Sequence, residues 1–217
     1  MGLLIAVIDY GMGNLRSVSK ALEHVVEPGD RVVVTDDHEQ IQAADRVVFP
    51  GQGAARDCMK ALSQHHVREA VLEAARNKPF LGICMGLQVL MEHSEENGGT
   101  RLLGLLEGRV RRFPGDVSDY YGRRLKVPHM GWNQVWQTEP HPLWAGIAEN
   151  SRFYFVHSYY VDPGDDELIA GTTEYGPRFT SAIARDNLFA VQFHPEKSAR
   201  AGLTLLRNFV RWNGELG

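Results

Sequence analysis

A chain of 217 residues with 23 basic and 27 acidic side chains carries a formal net charge of −4, without the cationic excess of a nucleic-acid binder. Two cysteines, Cys58 and Cys84, are too few for a disulfide framework and fit a reducing compartment. The apolar run at residues 3–8 has no basic stretch before it and no cleavage-like site after it. No apolar run approaches the ~20 residues of a membrane span, so the chain is expected to be cytoplasmic, with no membrane partner.

Residues 3–9 are continuously aliphatic and read as a buried strand. Tyr10-Gly-Met-Gly-Asn14 is a turn, after which Leu15, Val18, Leu22, Val25 and Val26 recur at helical spacing. Pro28-Gly-Asp30 breaks that helix. Strands follow over 31–35 and 45–49, the second running into Pro50-Gly-Gln-Gly53. One helix rich in alanine and charge is expected over 54–77, with His65-His66 on its solvated face. A strand over 79–83 and a helix over 85–93 complete an alternation that implies parallel strands and right-handed crossovers. From 104 to 193 the pattern changes to short strands, many aromatic, over 110–113, 134–137, 153–161, 168–173, 180–184 and 188–193. Turns such as Asp162-Pro-Gly-Asp165 divide them, which predicts antiparallel elaboration of a parallel sheet. A last amphipathic helix over 199–212 carries Leu203, Leu206, Phe209 and Val210 on one face. No repeat or linker interrupts the chain, so a single α/β domain over 1–217 is expected.

In sheets of this kind active groups gather beyond the carboxyl ends of the strands, where Asp9, Pro50-Gly51 and Cys84 all fall. Phe80-Leu-Gly-Ile-Cys-Met-Gly86 runs an apolar strand straight into a cysteine flanked by Gly82 and Gly86. It reads as the sulfur version of the nucleophile elbow. Far downstream, Phe193-His-Pro-Glu196 offers His194 as the base for the thiol and Glu196 as the orienter of that base. Pro195 stiffens the pair, but the sequence leaves open whether Glu196 reaches the imidazole directly. Pro50-Gly-Gln-Gly53 is the candidate oxyanion loop, with the N–H of Gln52 or Gly53 and that of Met85 as donors. Cys58 reads as a small buried hydrophobe. The third glycine of a dinucleotide fingerprint would fall at Arg16, and no Cys/His spacing suits zinc, so neither cofactor nor metal is expected. Arg109, Arg111, Arg112, Arg123, Arg124 and Lys126 form a local basic cluster that is either a solvated surface or a docking face for an acidic partner.

Gly82-Ile-Cys-Met-Gly-Leu-Gln88 together with His194-Pro-Glu196 resembles the class I, or triad, glutamine amidotransferases, and the resemblance runs almost the full length. Four longer strings resemble the branch of that family serving imidazole glycerol phosphate synthase: Ile8-Asp-Tyr-Gly-Met-Gly-Asn-Leu-Arg-Ser-Val18, Pro50-Gly-Gln-Gly-Ala54, Pro128-His-Met-Gly-Trp-Asn133 and Phe153-Tyr-Phe-Val-His-Ser-Tyr159. The resemblance implies the family's three-layer fold and hydrolysis of L-glutamine through a thioester on Cys84, with His194 and Glu196. It also implies a heterodimer with a (β/α)₈-barrel cyclase subunit that uses the ammonia to make imidazole glycerol phosphate and AICAR. By the same resemblance Gln88 holds the substrate through its side chain and Glu96 meets its amino end. The backbone at Ser158 and Tyr159 meets its α-carboxylate, and residues 128–133 lie near the partner and the ammonia exit. The bland alternatives are helix-surface polar groups for Gln88 and Glu96 and ordinary strand residues for Ser158 and Tyr159. Some members of the family carry an aliphatic residue where Gln52 stands. Three other readings stay open: a triad amidotransferase subunit of a different synthase, a stand-alone cysteine hydrolase, and a non-catalytic regulatory subunit.

Overall fold

The computed structural model describes residues 2–215. The aliphatic runs of the first half form strands β1 (Leu4–Ile8), β2 (Arg31–Thr35), β3 (Arg46–Gly51) and β4 (Phe80–Cys84). β1 lies parallel to both β2 and β3, and β3 lies parallel to β4. Alternate residues of β1 enter opposite cores: Ile5 and Val7 pack on one face, Ala6 and Ile8 on the other. Both faces of β1 are therefore buried, which is why it reads as a continuous aliphatic run rather than an alternating one. Helices α1 (Leu15–Glu23), α2 (His38–Ala43), α3 (Ala55–Gln64) and α4 (Arg68–Asn77) make the connections.

Three local expectations change. α2 is an addition, a six-residue helix started by Asp37, whose side chain accepts from the Glu39 and Gln40 N–H groups. The helix expected over 54–77 is two, because His66 adopts φ 57° and ends the first. His65-His66 is thus a helix terminus rather than a helix face. The helix expected over 85–93 is the four-residue α5 (Met85–Gln88). Beyond it the Val89, Leu90 and Met91 carbonyls accept from the N–H groups of Leu103, Leu105 and Gly104. Tertiary backbone bonds there replace those a longer helix would make.

The second half supplies β5 (His93–Ser94), β6 (Thr100–Arg101), β7 (Gly108–Arg112), β8 (His129–Gln134), β9 (Trp136–Gln137), β10 (Arg152–His157), β11 (Tyr159–Pro163), β12 (Ile169–Glu174), β13 (Arg178–Arg185), β14 (Leu188–Val191) and helix α6 (Ala199–Arg211). The single strand expected over 153–161 is broken at Ser158. β10 pairs with β8 in a separate two-stranded sheet, while β11 pairs antiparallel with β7 and β13 in the main sheet. The main sheet runs β2-β1-β3-β4-β14-β13-β11-β7-β5-β6. β14 reverses from β13 and lies parallel to β4, with Val191 opposite Ile83. α3 and α4 pack on one face and α1 and α6 on the other, giving three layers. The C-terminal strand is thereby set against the strand that ends in Cys84.

Candidate active site

Three chain segments converge beyond the carboxyl ends of β3, β4 and β14. Cys84 closes β4 at φ 55°, ψ −108° and leads directly into α5. Backbone of this kind persists only where its surroundings over-determine it, and the flanking glycines show how they do so. A Cβ on Gly86 would overlap the Phe49 carbonyl oxygen, and one on Gly82 would come within 2.9 Å of the Ala190 Cβ. Gly51, opposite Cys84 in the β3–β4 register, has the Tyr10 hydroxyl 2.5 Å from where its Cβ would stand. The elbow is a close backbone approach between α5 and β3, and only glycine permits it.

Glu196 reaches His194 directly. Its Oε1 lies 2.9 Å from Nδ1, and the two side chains are 1% and 3% exposed. With a carboxylate as acceptor, Nδ1 carries the proton, which fixes the tautomer and leaves Nε2 for chemistry. Nε2 is buried and unpartnered, and His194 lines the same cavity as Cys84. Burial pushes the imidazole pKa down, but the Cys84 sulfur and the Glu196 carboxylate outweigh it and raise it to about 10. The His194 N–H donates to the Tyr154 carbonyl at 2.9 Å. The Ser198 hydroxyl donates to the His194 carbonyl at 2.6 Å and accepts from the Tyr154 N–H at 2.9 Å. These bonds pin the stretch after β14 to β10.

The cavity holds about 460 Å³. Gln52, Gly53, Met85, Gln88, Glu96, Ser158 and Tyr159 line it with Cys84 and His194, while Glu196 sits behind the imidazole. Gly53 has φ 94°. The Gln52 carbonyl accepts from the Cys58 thiol at 3.4 Å, and the Tyr10 hydroxyl donates to that sulfur at 3.9 Å. Burial pushes the Cys58 thiol up to about 12, so it stays a neutral donor. Cys58, read from the sequence as a small hydrophobe, also holds one face of the candidate oxyanion loop. In a trans peptide the C=O and the next N–H point oppositely, so the Gly53 N–H is directed away from Cys58. Glu96 accepts from the Ala55 N–H at the start of α3, at 2.7 Å.

Gln88 donates through Nε2 to the Tyr159 carbonyl and to Gln192 Oε1, both at 3.0 Å, and its own Oε1 is buried without a partner. Gln192 donates to the Cys84 sulfur at 3.7 Å. His157 approaches the same Tyr159 carbonyl with Nδ1 at 2.8 Å and His129 Nδ1 with its Nε2 at 2.9 Å. Burial lowers the pKa of His129 to about 4 and that of His157 to about 3, so both are neutral and the bonded order of donors is fixed. Sequence reading did not single out Gln192, His157 or His129. A signal for Gln192 existed: it stands two residues before His194 in an extended stretch, and a period of two puts both on one side. Of the basic cluster, Arg111 pairs with Asp162 at 2.6 Å and Arg123 with Asp119 at 2.7 Å.

The family model described as glutamine amidotransferase class-I matches residues 6–212. A protein of Thiobacillus denitrificans named imidazole glycerol phosphate synthase subunit HisH is 63% identical over 214 residues, covering 98% of this chain and 93% of that relative. One of the same name from Hydrogenovibrio crunogenus is 59% identical over 212 residues, covering 98% of each. Among solved structures, a chain of PurLQS from Thermotoga maritima superposes with TM-score 0.72 at 18% identity, covering 97% of this chain and 99% of that one. A structure titled glutamine amidotransferase does so with TM-score 0.69 at 16% identity, covering 95% and 97%. At these identities the structural likeness speaks for the fold alone.

Proposed function

The chain belongs to the class I glutamine amidotransferases, in the group of imidazole glycerol phosphate synthase subunits HisH, and we propose that Cys84, His194 and Glu196 carry its chemistry. It is a glutaminase subunit, hydrolysing L-glutamine to glutamate and ammonia in L-histidine biosynthesis. The assignment of residues rests on one observation. A buried His194–Glu196 pair presents a free imidazole nitrogen in the same cavity as a cysteine held at positive φ.

The thiol proton of Cys84 passes to His194 Nε2, and the sulfur attacks the side-chain amide carbon of glutamine. The carbonyl oxygen takes the negative charge and receives N–H bonds from Gln52 or Gly53 and from Met85. His194 gives its proton to the amide nitrogen, the C–N bond breaks, and ammonia leaves a γ-glutamyl thioester on Cys84. Water then gives a proton to His194 and attacks the thioester, releasing glutamate and returning the sulfur. Glu196 stabilises the imidazolium at each stage without itself being protonated. The unpartnered Gln88 Oε1 is an acceptor available to a substrate N–H. Glu96 takes the substrate's amino end, and the backbone at Ser158 and Tyr159 its α-carboxylate.

The partner is a (β/α)₈-barrel cyclase subunit in a heterodimer, where ammonia enters the reaction giving imidazole glycerol phosphate and AICAR. Two features of β8 support a partner there. Met130 and Trp132 are 61% and 49% exposed, and Pro128, just before the strand, lines the cavity. Covering such side chains removes apolar surface from water. A dry passage keeps ammonia neutral and nucleophilic. The whole chain acts as one domain and works in the cytoplasm; among the described residues no helix is long and apolar enough to cross a membrane.

Cys84→Ala tests the assignment in the reconstituted complex. Glutamine-dependent product should vanish, while product formed from added ammonium salt should survive. Survival of glutamine-dependent product would place the nucleophile elsewhere. Loss of both would make Cys84 a structural residue.

A further inference from the structure

Gln192 is fully buried and has no part in the mechanism above, and yet its side chain ends on the reacting sulfur. We propose that Gln192 is a further catalytic residue: its side-chain amide donates a hydrogen bond to Cys84 Sγ, stabilises the thiolate over the thiol, and is aimed at the sulfur by Gln88. The proposal rests on Cys84 being the nucleophile.

The direction of the amide follows from its neighbours. The Tyr159 carbonyl can only accept, and Gln88 Nε2 stands 3.0 Å from it, so the NH₂ end of Gln88 must lie there. The same nitrogen stands 3.0 Å from Gln192, which must therefore turn its oxygen to Gln88. That leaves the Gln192 NH₂ at the sulfur, 3.7 Å away. Reversing the Gln192 amide would set NH₂ against NH₂ at one end and oxygen against sulfur at the other. The backbone is equally fixed: the Gln192 N–H donates to the Ser181 carbonyl at 2.9 Å, and the preceding Val191 is in parallel register with Ile83.

A thiol is a weak acceptor and a thiolate a strong one, so this bond favours the ionised sulfur. Hydrogen bonds to charged groups are worth about 1.5–3 kcal/mol, the equivalent of about one to two pH units. A purely structural Gln192, present only to satisfy Gln88, would not act on the sulfur's ionisation.

The test uses the full chain and the variant Gln192→Met, which keeps the length and volume of the side chain without its donor. Alkylation of Cys84 by iodoacetamide is followed across pH by peptide mass spectrometry, with buried Cys58 as an internal control. The pH of half-maximal alkylation should rise by about one to two units. Glutamine turnover of the complex at pH 7 should fall by about ten- to a hundredfold, while ammonium-dependent turnover is kept. In the wild-type chain the Gln192 side-chain ¹⁵N–¹H resonances should move with Cys84 ionisation and stay still in Cys84→Ala. This measurement decides the matter if the Met variant fails to fold. A variant profile coinciding with wild type, or amide resonances indifferent to Cys84 ionisation, would overturn the inference alone. Glutamine hydrolysis surviving in Cys84→Ala would overturn the assignment of Cys84 and this inference with it.

Discussion

Alanine at Gly86 strikes the elbow where its tolerance is least. The added Cβ falls inside the 3.0 Å that real Cβ atoms keep from their neighbours by roughly 1 Å, and the atom it meets is the Phe49 carbonyl oxygen, which is backbone and cannot rotate away. α5 and β3 must therefore part, and β3 leads through Pro50 and Gly51 into the candidate oxyanion loop. A displacement of about 1 Å at a reacting centre costs about a hundredfold in rate, and overpacking of this kind costs about 1–3 kcal/mol of stability. Gly82→Ala is the calibrating control, since its Cβ would meet the Ala190 Cβ at 2.9 Å and the Gly86 carbonyl oxygen at 3.0 Å, a far smaller overlap. The assay compares glutamine-dependent with ammonium-dependent turnover in the complex, with a urea midpoint for each variant. Gly86→Ala should lose about a hundredfold of the glutamine reaction and little of the ammonium reaction, with Gly82→Ala between it and wild type. Wild-type glutamine turnover in Gly86→Ala, or a larger loss in Gly82→Ala, would refute the steric reading of the elbow.

Glu196→Gln places an amide that can donate to Nδ1 and so reverse the imidazole tautomer; kcat for glutamine should fall by about 10³–10⁴, and a drop below tenfold would remove Glu196 from the proposed role. Acid sensitivity should come from buried neutral histidines. Burial lowers the pKa of His141 to about 4, so below its ordinary 6.5 the unfolded chain takes up a proton that the native chain refuses. The stability this residue contributes is complete above 6.5 and is lost as pH falls through about 4. His141→Asn keeps a side-chain acceptor for the Leu143 N–H and does not titrate, so unfolding free energies from urea titrations between pH 6.5 and 4.5 should fall less steeply, by about 1.4 kcal/mol per pH unit. Identical slopes in variant and wild type would show that His141 is solvated before unfolding.

What could be read from the chain was what local chemistry constrains. β1 and β4 announce themselves as apolar runs because they are buried, and Cys84 and His194 carry glycine or proline neighbours whose geometry allows few alternatives. The misses share a cause of the opposite kind. The left-handed turn at His66 involves neither glycine nor proline; the bonds that close it run from His66 to Ser63 and from Val67 to Leu62. The short α5 ends where it does because residues 103–105 supply its bonds. The break at Ser158 reflects a change of sheet, since β10 and β11 pair with different strands on either side of it. Gln192 takes its orientation from Gln88, 104 positions away in the chain. The glutamate's reach to the imidazole, open in the sequence, is settled by the turn at Pro195.

The order of strands has a consequence for biosynthesis. Among the described residues β14 is the last strand in chain order, and it lies between β4 and β13. While the polypeptide is still emerging from the ribosome, the thiol exists without its imidazole, and β4 presents an open edge of unpaired N–H and C=O groups. A nascent or truncated protein ending before Leu188 would therefore be incapable of consuming glutamine and prone to associate through that edge. Insertion of that four-residue strand closes the β4 edge, and the residues that follow it bring the imidazole to the thiol.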